Sequence, residues 1–130
     1  MSTDETSLGA RIQIEVQSLY LPHQSKPEEN HFVFSYTISI SNTGDASAKL
    51  LTRHWLITDA DGNKQEVHGD GVVGEQPEIQ PGQKHVYSSG AVIETPVGTM
   101  EGRYGMVTPA GDNFDAAIPI FRLAVPGVLN

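Results

Sequence analysis

Three glycines near the middle of the chain have the spacing of a phosphate-binding loop. Gly69, Gly71 and Gly74 spell G-x-G-x-x-G. In dinucleotide-binding domains this spacing lets the backbone approach a pyrophosphate and opens a helix whose amino end attracts the anion. We expect no helix here, because Pro77 and Pro81 fall in its first turns. Two interpretations remain: backbone N–H groups alone hold a phosphate, or the glycines only supply positive φ where the chain crosses between sheets.

Acidic residues surround these glycines. Asp70, Glu75 and Glu78 lie within or just after the motif, and no lysine or arginine occurs between Lys64 and Lys84. Negative charge opposes an anionic ligand unless a cation from elsewhere in the fold offsets it. The local sequence provides no such cation.

The histidines are the softest metal ligands in the chain, because it contains no cysteine. None of the five shows a metal-site spacing such as H-x-H or H-E-x-x-H. The hairpin predicted below nevertheless places His54 opposite His68, so these two could share one transition ion with Asp70 as a third ligand. The alternative is two exposed or hydrogen-bonded histidines. No nucleophile stands beside a base, so we predict no catalytic residue, no cofactor and no enzymatic activity.

That pairing depends on one tight loop. Residues 59–63, Asp-Ala-Asp-Gly-Asn, have the composition of a type I turn closed by Gly62 in the left-handed conformation. Residues whose numbers sum to 122 then face each other across the hairpin. Trp55 meets Val67 on one face, and His54 meets His68 on the other.

The remaining elements are short strands. Phe32, Phe34, Tyr36, Ile38 and Ile40 alternate with smaller or polar residues, which is the period of a half-buried strand. The predicted strands cover residues 11–21, 32–41, 49–58, 63–69, 85–94, 100–107 and 114–125, with an edge or bulge at Pro119. About seven or more antiparallel strands indicate an all-β, immunoglobulin or fibronectin type III-like sandwich, with a closed barrel as the alternative. We expect a flexible tail over residues 1–10 and a single domain over 11–130.

Composition excludes several classes of protein. The chain has 130 residues and a formal charge of −8, so one core is expected and binding to nucleic acid is not. No apolar run approaches the ~20 residues that span a bilayer, and the acidic start resembles no export signal. We therefore predict a cytoplasmic protein without membrane insertion. An unpaired strand edge would offer a route to a homo-dimer.

Several segments together closely resemble the ApaG (CorD) family of bacteria. They are Val16–Ser18, Arg53–Asp59, Glu66–Pro77, Pro81–Gly82, Tyr87–Gly90, Thr95–Met100, Gly102–Tyr104 and Phe121–Pro126, so the resemblance covers nearly the whole chain. One local difference is Asp70, where the family's glycine loop is associated with Glu.

The resemblance implies a fibronectin type III-like sandwich without established catalytic activity. It further implies a binding module with a protein partner, associated with cobalt resistance and magnesium efflux, that is, with divalent-cation homeostasis. The family's glycine loop has been interpreted as a nucleotide or pyrophosphate site. On this chain that interpretation falls on Gly69, Gly71 and Gly74.

Overall fold

The computed structural model describes residues 8, 9 and 11–128, so most of the predicted tail, residues 1–10, lies outside the described residues. Within these residues there are eight strands, two single-turn 3-10 segments, Pro22–Gln24 and Pro27–Glu29, and helical backbone at residues 8 and 9. The strands are β1 (Ile12–Tyr20), β2 (Phe32–Asn42), β3 (Ala48–Asp59), β4 (Lys64–Asp70), β5 (Glu78–Ile79), β6 (Lys84–Ile93), β7 (Val97–Val107) and β8 (Asn113–Ala124). Among these, only the two-residue β5 was not expected from the sequence.

The strands form two antiparallel sheets. One sheet has the order β1-β2-β6, and the other has the order β4-β3-β7-β8, with β5 paired to the start of β3. This arrangement confirms the predicted β-sandwich and excludes the closed barrel. The described residues contain no helix with the length and apolar character needed to cross a bilayer.

The core lies between the sheets. Residues of β2 alternate between buried and half-buried along its whole length, as their period predicted. Trp55 of β3 is buried and makes edge contacts with the rings of Tyr36, Tyr104 and Phe121. Aromatic rings packed edge to face fill such a two-sheet core efficiently.

The strand register of the larger sheet shifts at two places. Pairing of β7 with β8 shifts between Met100 and Gly102, opposite the part of β8 that contains Pro119. Since β8 is also the last strand of its sheet, Pro119 lies at both an edge and a bulge, the two settings that the sequence predicted for it. The second shift lies between Leu50 and Thr52, where Leu51 is an extra residue in β3. A bulge reverses which side chains face the core. Leu50, before the bulge, and Arg53 and Trp55, after it, therefore all lie on the inner face.

The two long sides of the sandwich differ. On one side β1 and β8 run parallel to each other: Gly9 lies against Asp115, and the Ser18 hydroxyl donates to the Arg122 carbonyl at 3.0 Å. On the other side β4 and β6 end their sheets, and neither has a further strand partner within the described part of the chain.

Candidate functional site

The hairpin of β3 and β4 positions the candidate ligands. Its loop closes as predicted: Gly62 has φ +84°, and the Asp59 carboxylate accepts the backbone N–H groups of Asp61 and Asn63. The register pairs His54 with His68 and Trp55 with Val67, which confirms the sum of 122. Because Trp55 is buried in the core, both histidines face outward.

His54 and His68 are joined by a third side chain, Glu66. Its Oε2 lies 3.2 Å from His54 Nε2 and 3.5 Å from His68 Nε2, and the imidazole centroids are 4.2 Å apart. Hydrogen bonds from His54 and then His68 lower the pKa of Glu66. The sequence had suggested Asp70 as the third ligand, but Asp70 does not belong to this cluster.

Arg103 of β7 approaches the same cluster from the neighbouring strand. Its Nη1 lies 3.0 Å from His54 Nδ1, and its Nε lies 3.9 Å from the carboxylate of Asp115. An arginine can only donate, so His54 Nδ1 must accept this hydrogen bond. These groups border an open pocket with a volume of ≈ 520 Å³ on the outside of the larger sheet.

The glycine stretch folds into a tight hairpin. Val72 and Glu75 exchange two backbone hydrogen bonds of 2.8 and 3.0 Å, and the residues between them, Val73 and Gly74, have φ of +49° and +78°. Positive φ at both central positions is typical of a type I′ turn. Residues 75–83 contain no helix, as the prolines predicted. We call residues 69–76 the glycine hairpin.

Two of the three glycines lie in close contact with neighbouring groups. Gly71 has φ +66°, and a Cβ there would lie 2.2 Å from the Glu75 carbonyl oxygen. A Cβ on Gly69 would lie 2.6 Å from Nη1 of Arg53. That nitrogen donates to the carbonyl oxygens of Asp70 at 3.0 Å and Gly71 at 2.9 Å. The fold therefore brings a cation onto a stretch that has none of its own.

Arg53, Glu66 and Arg103 are site residues that the sequence analysis missed. The predicted register could have indicated two of them. It pairs Arg53 with Gly69, since 53 and 69 sum to 122, and it places Glu66 two residues before His68 on the same face of the hairpin. No feature of the sequence around Arg103 indicated a role in the site, because Arg103 reaches His54 only through the pairing of β3 with β7.

Arg53 also borders a cavity of ≈ 360 Å³ between the glycine hairpin and the sheets. The other lining residues are Tyr36, Trp55, Asp70, Val72, Val73, Gly74, Tyr87, Ser88 and Ser89. Deeper in the core, the Tyr87 hydroxyl is hydrogen-bonded to that of Tyr104, and burial raises the pKa of both. The cavity has the size of a small-ligand site and combines a cation with hydroxyl groups.

Comparisons with known proteins agree with one another. A family model described as ApaG domain matches residues 22–108. The Protein ApaG of Pseudomonas paraeruginosa is 58% identical over 120 residues, covering 92% of this chain and 95% of the relative, and that of Pseudomonas putida is also 58% identical over 120 residues, with the same coverage.

Two solved structures are similar over most of their length. The X-ray structure of a structural genomics target has a TM-score of 0.89 at 52% identity, covering 94% of this chain and 92% of its own. A crystal structure of the ApaA protein from Bordetella pertussis has a TM-score of 0.87 at 44% identity, covering 90% and 95%.

Proposed function

Because the chain belongs to the ApaG domain family, we propose that it is a non-enzymatic binding module that holds an anionic, phosphate-containing group beside the glycine hairpin. The observation that carries this proposal is Arg53. Its half-buried guanidinium lines the cavity and forms no ion pair with a carboxylate among the described residues. A half-buried cation without a counter-ion favours an anionic ligand.

The orientation of the guanidinium supports the same interpretation. Nη1 uses its hydrogens on the carbonyls of Asp70 and Gly71, which fixes the plane of the group. The Nε and Nη2 N–H groups form the other edge of the guanidinium. Such a fork matches two oxygens of a phosphate.

Further donors lie around the cavity. The Trp55 indole N–H is buried without a hydrogen-bond partner in the described part of the chain. In the glycine hairpin, the amides of Gly71, Val72 and Glu75 donate to backbone carbonyls, whereas those of Val73 and Gly74 donate to no described backbone group. Of the three motif glycines, Gly74 borders the cavity, and Gly69 and Gly71 shape the hairpin. The proposed phosphate site therefore consists of Arg53 with the tip of the hairpin.

The resemblance to the ApaG family adds two expectations to this proposal, namely a protein partner and a role in divalent-cation homeostasis. Neither expectation changes the chemistry of the phosphate site.

Asp70 lies at the rim of the cavity, where its negative charge lowers the affinity for anions. We therefore expect Asp70→Asn to bind phosphate more tightly.

Titration with inorganic phosphate and pyrophosphate, followed by NMR of the backbone amides and the Arg53 Nε–H, tests the proposal. We expect saturable shifts at Val73, Gly74 and Arg53. Arg53→Lys keeps the charge but loses the fork, so the affinity should fall roughly tenfold. Arg11→Gln removes an exposed arginine that pairs with Asp45 elsewhere and should change nothing. Amide shifts that stay flat at millimolar pyrophosphate would refute the proposal.

A further inference from the structure

We propose that His54, Glu66 and His68 form a binding site for a divalent transition cation of the zinc type. One carboxylate oxygen lies 3.2 and 3.5 Å from the two Nε2 atoms, and all three ligand atoms lie within 4.8 Å of one another. Ligands at the corners of a zinc tetrahedron are about 3.3 Å apart, given bonds of about 2.0–2.2 Å. Two of the three separations therefore already match, and the third, between the two imidazoles, is no more than 4.8 Å.

The surroundings allow a cation to enter and remain. His54 is the most buried ligand, with a side chain that is 18% exposed, while those of Glu66 and His68 are 63% and 66% exposed. Two imidazoles and one carboxylate leave a fourth position open to solvent. Imidazole nitrogens bind Zn²⁺ and Ni²⁺ well and Mg²⁺ poorly, so the site should discriminate against Mg²⁺.

Arg103 disfavours metal binding because it selects the tautomer of His54 in which Nε2 carries the proton. Because Arg103 donates to Nδ1, the proton of the neutral imidazole sits on Nε2, where it points at Glu66. A metal needs the lone pair of that Nε2. On binding, the His54 proton must move to Nδ1 and the Arg103 hydrogen bond must break. Asp115, 3.9 Å from Arg103 Nε, offers the displaced guanidinium another partner.

This site is adjacent to the phosphate site but uses different ligand atoms. Arg53 lines both the cavity beside the glycine hairpin and the outer pocket that His54 and His68 line, yet Arg53 is not one of the three metal-binding side chains. Loss of zinc binding and loss of phosphate binding can therefore be measured separately on the same variants.

Zinc titration by calorimetry is the first test, in the presence of excess Mg²⁺. We expect one Zn²⁺ per chain, and each of the variants Glu66→Gln and His68→Ala should weaken binding by at least roughly tenfold. His31→Ala removes an exposed histidine outside the cluster and should leave the affinity unchanged. Zinc binding that neither Glu66→Gln nor His68→Ala weakens would overturn the proposal.

Arg103→Gln provides a second, opposite test. NMR of the imidazole nitrogens should show His54 shifting toward its Nδ1–H tautomer before any metal is added, because Arg103 no longer donates to the Nδ1 lone pair. The affinity for Zn²⁺ should then rise roughly tenfold, because no hydrogen bond to Nδ1 has to break, and changes in the groups around metal-binding histidines have effects of about this size. If neither the wild type nor Arg103→Gln binds zinc, the proposal is overturned.

Discussion

Replacing Gly71 by alanine should destabilise the protein more than any other alanine substitution in the glycine hairpin. The left-handed φ of +66° alone costs about 1–2 kcal/mol for a residue with a side chain. In addition, the new Cβ would lie 2.2 Å from the Glu75 carbonyl oxygen, which accepts the Val72 N–H. Relieving that contact opens the two hydrogen bonds between Val72 and Glu75, each worth about 0.5–1.5 kcal/mol. We therefore expect a total loss of about 2–5 kcal/mol.

Two other glycines are matched controls for the φ contribution. Gly74 and Gly62 have φ of +78° and +84°, and a Cβ on either would meet nothing within 4 Å. Alanine at each should therefore cost only about 1–2 kcal/mol. Urea unfolding of the three variants, with linear extrapolation to water, gives the comparison. If Gly71→Ala loses no more stability than Gly74→Ala, the close contact does not constrain the hairpin and our reasoning is wrong.

Two further predictions concern the core. Burial raises the pKa of Tyr87 and Tyr104, so stability should be intact below the unfolded pKa of about 10 and fall above it by about 1.4 kcal/mol per pH unit for each tyrosine. Urea unfolding between about pH 9 and 11.5 should show a shallower decline in the variant with both tyrosines changed to Phe, and an unchanged slope would contradict this prediction. Leu50 is fully buried, so Leu50→Ala should lose about 2–5 kcal/mol in the same assay, whereas Leu19→Ala, at an exposed position, should lose less than about 0.5. Comparable losses at both positions would contradict the placement of the core.

Much of the fold was predictable because its signals are local. The alternation of β2 is a property of a single strand, and the register of β3 with β4 followed from the turn chemistry around Gly62. Turn geometry and the two-residue period of side chains are set within a few residues, so both can be recognised in a single sequence. The two-residue β5 carries no period, and only its pairing with β3 makes it a strand.

The candidate site was predictable only in part because its charges come from different strands. The histidine pair followed from one hairpin, whereas Arg103 reached it through a second strand pairing. Arg53 shares the inner face with Trp55, two residues on, whereas the bulge at Leu51, which no residue type near it indicates, is what lets Leu50 face inward as well. A local count of charges around the glycines therefore gave the wrong electrostatic environment.

The parallel placement of β1 and β8 has a mechanical consequence. Both strands run from the same end of the sandwich, so the chain enters at one end and leaves at the other. A force applied between the termini would pull β1 along its own length, against the nine residue pairs that join it to β2. These pairs would be loaded together in shear instead of being peeled apart one by one. We therefore expect the domain to resist stretching along its long axis better than separation of its sheets at the β4 and β6 side.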